Sequence, residues 1–388
     1  MRHFGHIAPE VRQRLFFQEP CEFDADSPAR LLAAALGATL YSPATRPHLA
    51  DDIVKLAGRG VVSMVLCLED SIGDEDVPAA EENLVQQFTE LAARPDTELP
   101  LLFVRVRVPE QIPDLVRRIG PAVRLLSGFV MPKFTEESGM PFLEALAAAE
   151  VSSGHRLFGM PVLESPELLY RESRVETLEG ISRAVDKYRD RVLALRLGVT
   201  DFCSSYGLRR ASDMTAYDVQ IVANVIGDVV NMLGRADGTG FTVTGPVWEY
   251  FRVQERMFKP QLRRSPFLEG QAEELREALI EHAMDGLLRE IALDQANGLM
   301  GKTCIHPTHV LPVHALSVVS HEEFCDAQDI LRPERGGGGV LRSAYTNKMN
   351  EVKPHRAWAE RTMLRAEIFG VAREDVGFVE LLAAGIPG

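Results

Sequence analysis

The chain has 388 residues, of which 46% are hydrophobic and 25% are charged, as in ordinary globular proteins. Its 42 Lys and Arg residues against 56 Asp and Glu residues give a net charge of −14, which argues against nucleic acid or an anionic membrane as the main partner. No apolar run is long enough to span a bilayer, and the N-terminus lacks the apolar segment of a signal peptide, so we expect a cytoplasmic protein.

Eight short apolar segments alternate with helical patterns along the chain. In order, the predicted strands are 38–43, 61–68, 101–108, 128–131, 157–163, 192–198, 241–244 and 299–305. The helical patterns are 47–59, 79–93, 111–119, 140–152, 166–190, 217–233 and 272–295. Continuously apolar strands are typical of a parallel sheet covered on both faces. The repeated alternation favours a (β/α)8 TIM barrel, with an open doubly wound sheet as the alternative.

Several segments extend beyond a minimal barrel. An N-terminal arm (1–37) precedes the first strand, and a long loop (246–270) follows the seventh; loops of this length usually carry a function. Four consecutive glycines (336–339) predict a flexible hinge. The sequence therefore predicts a barrel domain, residues 1–335, followed by a C-terminal helical extension, residues 340–388.

Charged residues stand at the ends of seven of the eight predicted strands. They are Arg46, Glu69, Asp70, Arg105, Arg107, Lys133, Glu164, Asp201 and His306. Because the active site of such a barrel lies where the strands end, we expect these side chains to share one rim. Carboxylates without a Cys or His cluster suit Mg²⁺, and the basic residues suit a small anionic substrate. Such a metal can chelate a 2-oxo acid and stabilise an enolate while a carbon–carbon bond breaks or forms.

A series of motifs around these residues resembles a known family. The motifs are LYSPATRPHLADDIVKLAGRGVVSMVLCLED (40–70), FVRVRV (103–108), GFVMPKF (128–134), GMPVLESP (159–166), RLGVTDFCSSYG (196–207) and GKTCIHPTHV (301–310). Their order resembles that of the citrate lyase beta-subunit family, within the HpcH/HpaI aldolase and citrate lyase superfamily of TIM-barrel fold. The resemblance covers about residues 38–310, and the chain resembles a divergent carbon–carbon bond lyase branch of the superfamily.

The resemblance implies roles for five of the charged residues. Glu164 and Asp201 match the two carboxylates that hold Mg²⁺. Arg105 matches the arginine that binds the substrate and stabilises the enolate, while Glu69 and Asp70 match an acidic pair that orients a water molecule or moves a proton. The residues alone leave structural alternatives open: Glu164 and Asp201 could cap helices. Arg105 could instead form an ion pair with Glu69 or Asp70.

Two basic residues and the C-terminal tail complete the comparison with the family. Arg46 and Lys133 match rim positions that contact an anionic substrate or a phosphate of coenzyme A. Arg107 lies two residues after Arg105, and side chains two apart on a strand point to the same face. Arg107 could therefore share or replace the substrate contact of Arg105. The segment 343–370 resembles the corresponding part of malyl-CoA lyases, but Thr346 stands where that family has an acid. This departure counts against thioester chemistry of that type.

The sequence therefore predicts a Mg²⁺-dependent carbon–carbon lyase or aldolase, with Mn²⁺ as a substitute metal. Its substrate would be a small carboxylate, either a 2-oxo acid or a thioester of coenzyme A. One alternative is a CoA-thioester hydrolase or synthase on the same barrel, and another is a non-catalytic component whose extensions bind a protein partner. Family analogy predicts a homo-oligomer, either a trimer or a hexamer.

Overall fold

Eight parallel strands form the centre of the structure, which is a computed structural model describing residues 1–94, 97–251, 284–332 and 338–385. The N-terminal arm contributes β1 (Phe16–Gln18), and the barrel strands are β2 (Ala38–Pro43), β3 (Ser63–Cys67), β4 (Leu101–Arg105), β5 (Leu126–Met131), β6 (Phe158–Leu163), β7 (Leu195–Leu197), β8 (Val243–Thr244) and β9 (Lys302–Cys304). Each barrel strand overlaps one of the eight predicted segments. All eight strand predictions are therefore confirmed.

The order of the strands distinguishes a barrel from an open sheet. Strands β2 to β8 pair with their neighbours in chain order, and β2 also pairs with β9. A parallel bridge between Gly245, directly after β8, and Lys302 links the remaining edges. There the Gly245 N–H donates to Gly301 O at 3.0 Å, and the Thr303 N–H donates to Gly245 O at 3.0 Å. The prediction of a (β/α)8 barrel is confirmed.

Helices cover the outside of the barrel and cap its ends. In chain order they are Pro9–Leu15, Ala29–Ala35, Leu49–Ala57, Val77–Ala92, Gln111–Ile119, Glu136–Ser153, Arg174–Lys187, Val199–Ser204, Gln220–Leu233, Met284–Ala296, Val310–Ser317, His321–Leu331, Val352–Phe369 and Phe378–Gly385. The helix at 111–119 illustrates the pattern, because Ile112, Leu115 and Ile119 recur at the helical period and are buried. None of the helices in the described part of the chain combines the length and apolarity needed to cross a membrane.

One predicted helix is divided in the structure. The pattern over 166–190 contains a 3₁₀ turn at Pro166–Leu168 and, further on, the α-helix Arg174–Lys187. Proline fixes its own φ and has no N–H to donate, so it suits the start of a short turn. The Arg174 side chain donates two hydrogen bonds to carbonyl oxygens of the bend between the two elements. The loop after β6 therefore starts with a tight turn directly after Glu164.

Side chains alternate between two cores along each barrel strand. On β3, Val65 faces the barrel interior and Leu66 faces the surrounding helices. The interior core continues through the N-terminal end of the barrel, where Phe4 and Phe369 belong to the same apolar cluster. Apolar residues therefore fill the interior at this end, and the strands terminate at the other, where charged side chains follow β3 and β6.

The N-terminal arm and the C-terminal residues pack on each other. Strand β1 pairs in antiparallel fashion with β12 (Val371–Ala372), and a hairpin of β10 (Val340–Arg342) and β11 (Met349–Glu351) precedes the last long helix. That helix packs against His321–Leu331 and against Ala29–Ala35 of the arm.

Some predictions fall on other parts of the chain. Residues 252–270 of the long loop, 272–283 of the predicted helix and the glycines at 336–337 lie outside the described residues. The division into a barrel domain and a C-terminal extension therefore stays a prediction.

Candidate active site

Three carboxylates, from the ends of β3 and β6, meet at one guanidinium nitrogen at the end of β4. Arg105 is the last residue of β4, and its Nη2 atom lies 2.7 Å from Glu69 Oε2, 2.9 Å from Glu164 Oε1 and 3.3 Å from Asp70 Oδ2. Glu69 and Asp70 follow β3, and Glu164 follows β6 directly. The structure thus brings together four of the predicted site residues. The predicted ion pair between Arg105 and the acidic pair exists, but it also includes Glu164.

Lys133, just after β5, closes one side of this cluster. Its Nζ atom lies 2.6 Å from Glu69 Oε1 and 3.8 Å from Asp70 Oδ1, and its backbone N–H donates to Glu164 Oε1 at 2.9 Å. The residue has a φ of +47°, a left-handed conformation that is uncommon outside glycine and often occurs at functional sites. The side chain is 56% exposed, so its ammonium group lies at the mouth of the site.

The two oxygens of Glu164 have different surroundings. Oε1 accepts hydrogen bonds from both Arg105 and the Lys133 amide. Oε2 lies against Gly198, where a methyl group on the glycine would overlap it. Gly198 begins the short helix Val199–Ser204, which carries Asp201. The second oxygen of Glu164 is therefore directed towards the loop that bears the other predicted metal ligand.

Glu164 and Asp201 border one cleft of about 390 Å³ at the strand ends. The cleft is also lined by Lys133, Thr135, Ser138, Ser165, Pro166, Glu167, Ser204 and Ser205. Burial raises the pKa of Glu164 to about 7 against the opposing effect of Arg105, and the charge of Asp201 raises it further. A cation bound between the two carboxylates would relieve this repulsion.

Glu69 and Asp70 behave differently although they are adjacent. Burial opposes ionisation of Glu69, but hydrogen bonds from Asp70 and Lys133 and the charge of Arg105 hold its pKa below the usual value. Burial and the neighbouring Glu69 raise the pKa of Asp70 to about 6. Asp70 is also solvent-exposed, with 56% of its side chain accessible. Asp70 is therefore the member of the pair that can gain and lose a proton near neutral pH.

The carboxylate pair fits a hard divalent cation. Among the described residues, no group of three or more His, Cys, Asp or Glu side chains is arranged to hold a metal ion. Glu164 and Asp201, the two carboxylates predicted to hold the metal, line the same cleft. Mg²⁺ commonly takes one or two protein carboxylates and completes its coordination with water and substrate oxygens.

Two other predicted basic residues lie apart from the cluster. Arg46 is half-exposed and pairs with Asp52, with 2.6 Å between Nε and Oδ2. Arg107 bonds to the loop after β3, donating to Leu68 O at 2.5 Å and to Glu69 O at 3.2 Å, and pairs with Asp74. The side chain of Arg107 therefore holds the loop that carries the acidic pair and does not accompany Arg105.

Thr346, which stands where a related family has an acid, lies in the loop of the β10–β11 hairpin. It is exposed, and its N–H donates to Ser343 O at 2.9 Å. Its φ of +57° is the left-handed conformation of a tight turn. These contacts are all within the hairpin.

Inside the barrel the structure holds a further cation that the sequence analysis did not select. Arg196 on β7 is 1% exposed, and its Nη2 atom lies 2.9 Å from Thr303 Oγ1. Its guanidinium lies 5.4 Å from the centre of the Tyr41 ring. No carboxylate of the described residues lies within ion-pair distance of it. The signal in the sequence was a lone arginine within the apolar run 192–198.

The lysine of the closing motif 301–310 has a structural role. Lys302 Nζ lies 2.8 Å from Glu290 Oε1 and 2.7 Å from Asp294 Oδ2, and both carboxylates are buried. Arg210 completes the network at 2.6 Å from Glu290 Oε2. These buried charges tie β9 to the helix Met284–Ala296 and to the loop beyond Asp201.

Comparison with protein families identifies the class of this barrel. Residues 30–371 match the family described as C-C bond lyase of the TIM-barrel fold. The chain belongs to this family. The resemblance to a carbon–carbon lyase branch, predicted from the strand-end motifs, is thereby confirmed. None of the curated proteins matches the chain.

Solved structures show where the fold recurs. The protein CitE from Mycobacterium tuberculosis, in complex with magnesium, acetoacetate and coenzyme A, is 19% identical, with 86% of this chain and 99% of that chain covered and a TM-score of 0.51. The Haloferax volcanii malate synthase magnesium/glyoxylate complex is 15% identical over 71% of this chain and 73% of that chain, with a TM-score of 0.50. A HpcH/HpaI aldolase/citrate lyase family protein from Burkholderia cenocepacia is 15% identical, with 72% of this chain and 92% of that chain covered and a TM-score of 0.42. At these identities the first two show a shared fold.

Proposed function

We propose that this protein is a Mg²⁺-dependent carbon–carbon bond lyase that acts on a small carboxylate through an enolate. The observation that carries the proposal is the junction of Glu69, Glu164 and Arg105 beside the cleft that Glu164 shares with Asp201. Glu164 and Asp201 would hold Mg²⁺, for which Mn²⁺ could substitute. When bound, the cation would neutralise charge on the substrate oxygens as the enolate forms.

Arg105 has the geometry to bind and stabilise an anionic substrate. Its contacts with the carboxylates all involve Nη2, which leaves the Nη1 amino group to donate to a carboxylate or enolate oxygen. Held by three carboxylates, the guanidinium is fixed in position before substrate arrives. A donor that needs no rearrangement stabilises developing charge most effectively.

Asp70 is the residue we assign to proton transfer, in contact with Glu69. Its pKa of about 6 and its exposure let it exchange protons with solvent near neutral pH. A general acid or base works best when its pKa lies close to the working pH. Glu69, paired with Arg105 and Lys133, would remain ionised and would orient either a water molecule beside the substrate or the Asp70 carboxyl group.

The basic residues of the rim would select the rest of the substrate. Lys133 lies at the mouth of the cleft with an exposed ammonium group and is placed to contact a second anionic group of the substrate. Arg46, engaged with Asp52, would reach a more distant group such as a phosphate of coenzyme A. The structure of CitE contains magnesium with acetoacetate and coenzyme A, and that of the malate synthase contains magnesium with glyoxylate. These ligands define the substrates to test first.

The test of the metal site is calorimetry with Mg²⁺ or Mn²⁺, in the presence and absence of oxalate as an enolate mimic. The wild type is compared with Glu164→Ala, and Glu167→Ala serves as the matched control because Glu167 is an exposed glutamate lining the same cleft. We expect oxalate to tighten metal binding in the wild type and the control, and metal binding to be lost in Glu164→Ala.

The result also separates the alternatives. A wild type that binds neither metal nor oxalate would overturn the proposal and favour a non-catalytic component. Once binding is established, a screen of 2-oxo acids and CoA thioesters shows the reaction. Cleavage of a carbon–carbon bond supports the lyase, whereas release of free coenzyme A without such cleavage would mean a thioester hydrolase.

We also propose that the protein is a cytoplasmic homo-oligomer, a trimer or a hexamer. Sedimentation equilibrium tests the assembly directly, because the chain has a mass of 43.0 kDa. A trimer or hexamer gives three or six times that mass, and a monomer would refute the proposal.

A further inference from the structure

A second cavity lies at the opposite end of the barrel from the carboxylate cluster. It has a volume of about 530 Å³ and is bordered by Leu299 and Gly301, which directly precede β9, and by the long C-terminal helix Val352–Phe369. Trp358, Arg361, Arg365 and Glu323 also line it. Its volume lies within the range of small-molecule sites in proteins.

Two arginines one helical turn apart line this cavity. Arg361 Nη2 donates to Gly298 O at 2.7 Å and to Leu299 O at 2.9 Å, and Arg365 Nη2 donates to Ser317 O at 3.2 Å. In the part of the chain that the structure describes, neither guanidinium has a carboxylate within ion-pair distance. Two cations therefore face the same space with only neutral carbonyl partners.

The electrostatics of the pair indicate an anion. Burial lowers the pKa of both arginines; the charge of Arg365 lowers that of Arg361 further, and the charge of Glu323 offsets the burial of Arg365 only in part. Arginine nevertheless remains charged at neutral pH. Glu323 is the one carboxylate among the lining residues, and it accepts bonds from the backbone and hydroxyl of Ser320. An anion between the two guanidinium groups would remove the mutual repulsion of Arg361 and Arg365.

The remaining walls define the size and character of the ligand. Small residues at Ala292, Ala296 and Gly298 leave the space open, and the Trp358 indole, 38% exposed, stands at its edge. Paired arginines suit the several oxygens of a phosphate group, and an indole face suits a planar ring. A phosphate alone would leave much of a cavity of about 530 Å³ unfilled.

We propose that this cavity binds a small organic phosphate bearing an aromatic ring, of the size of a nucleoside monophosphate. Arg361 and Arg365 hold the phosphate, and Trp358 packs against the ring. The cavity is separate from the cleft at the strand ends. It borders residues 298–301 at the start of β9, whereas the carboxylates follow the ends of β3 and β6. Binding there contacts the segment that leads into Lys302 and its buried network, apart from the strand ends where the substrate would bind.

The probe is AMP, titrated by calorimetry into the full-length protein in buffer free of Mg²⁺, with adenosine as the uncharged comparison. The variants are Arg361→Gln and Arg365→Gln. Arg356→Gln is the matched control, because Arg356 lies on the same helix but is exposed and paired with Glu360 at 3.1 Å. A charge-assisted hydrogen bond contributes enough that its loss weakens binding by about 10- to 100-fold. We expect that loss in both cavity variants and an affinity within about twofold of wild type in the control.

Trp358→Ala provides a second test that leaves both arginines in place. It should weaken AMP binding while retaining binding of inorganic phosphate. The proposal is overturned if wild type fails to bind AMP at millimolar concentration, if adenosine binds as well as AMP, or if Arg356→Gln loses as much affinity as the cavity variants. Because Glu164→Ala leaves this cavity intact, AMP binding by that variant separates failure here from failure of the proposed lyase site.

Discussion

Replacing Gly198 by alanine tests the geometry of the proposed metal site with a single methyl group. A Cβ atom at Gly198 would overlap Glu164 Cβ and Oε2 and would lie 3.2 Å from Glu164 Cδ. Carbon atoms normally pack at about 3.5–4.0 Å, so the backbone at Glu164 or Gly198 has to shift, and the Glu164 carboxylate moves from its present position with it. Gly198 has a φ of −94°, which alanine adopts freely, so the substitution strains the packing and not the backbone.

The expected magnitude follows from what the displaced carboxylate does. Changes that misplace a metal ligand without removing it typically weaken metal affinity by about 10- to 100-fold, or about 1.4–2.7 kcal/mol. Overpacking a buried site also costs about 1–3 kcal/mol of stability. We therefore expect Gly198→Ala to fold, to melt at a lower temperature and to bind Mg²⁺ with oxalate at least tenfold more weakly than wild type.

Gly227→Ala is the matched control for this experiment. Gly227 lies exposed on the helix Gln220–Leu233, and nothing lies within 4 Å of the position its Cβ would take. The same methyl group there should leave metal binding unchanged and stabilise the helix by up to about 1 kcal/mol. If Gly198→Ala binds Mg²⁺ and oxalate like Gly227→Ala, the assignment of Glu164 as a ligand fixed against Gly198 is refuted.

Two further substitutions concern stability. Lys302→Met removes the cation shared by two buried carboxylates and should reduce the free energy of unfolding by about 3–5 kcal/mol in urea, because breaking a buried pair leaves charge uncompensated. Arg356→Met, at an ion pair with Glu360 in which both side chains are exposed, should cost about 1 kcal/mol or less. His3 and His314 are buried with lowered pKa values, about 3 for His3, so the unfolded chain binds more protons below about pH 6.5 and stability falls as the pH drops from there towards 4. His3→Phe should reduce that slope by up to about 1.4 kcal/mol per pH unit, measured by urea unfolding between pH 4.5 and 7.5.

Each of these stability predictions has an outcome that would contradict it. Equal losses in Lys302→Met and Arg356→Met would show that the network around Lys302 is not buried in solution. A pH slope in His3→Phe equal to that of wild type would show that His3 is accessible to protons in the folded protein. The last comparison is made on the slope because the substitution also removes the hydrogen bond between His3 Nε2 and Ala35 O.

The barrel could be predicted because parallel strands buried on both faces leave a simple trace in sequence. Segments such as 61–68 are apolar apart from Ser63 and buried throughout, since both their faces lie in a core. The sequence pattern determines the ends of strands less well, and for that reason it did not predict the position of the Arg107 side chain. Strand β4 ends at Arg105, so the alternation that would align the two arginines no longer applies two residues further on. Arg107 instead turns to carbonyl groups of the neighbouring loop.

The candidate site was predictable to the extent that strand ends converge. That rule placed Glu69, Arg105 and Glu164 on one rim, and the structure joins them at a single nitrogen atom. It could not select Arg196, whose partners on β2 and β9 are hydroxyl groups far away in sequence. It also could not select Gly198, because a close approach between neighbouring strand ends has no signature in one chain.

The balance of charge at the rim gives independent support for a divalent cation. Three carboxylates, of Glu69, Asp70 and Glu164, contact Arg105 or Lys133, and Asp201 lines the same cleft, so four negative and two positive charges leave a formal charge of −2. Placing more carboxylates than cations in a partly buried site is unfavourable and raises the pKa of some of them. A single divalent ion restores neutrality without adding a side chain. A substrate carboxylate would then add negative charge that Arg105 is placed to bind, so we propose that the balance of charge selects both the metal and the substrate.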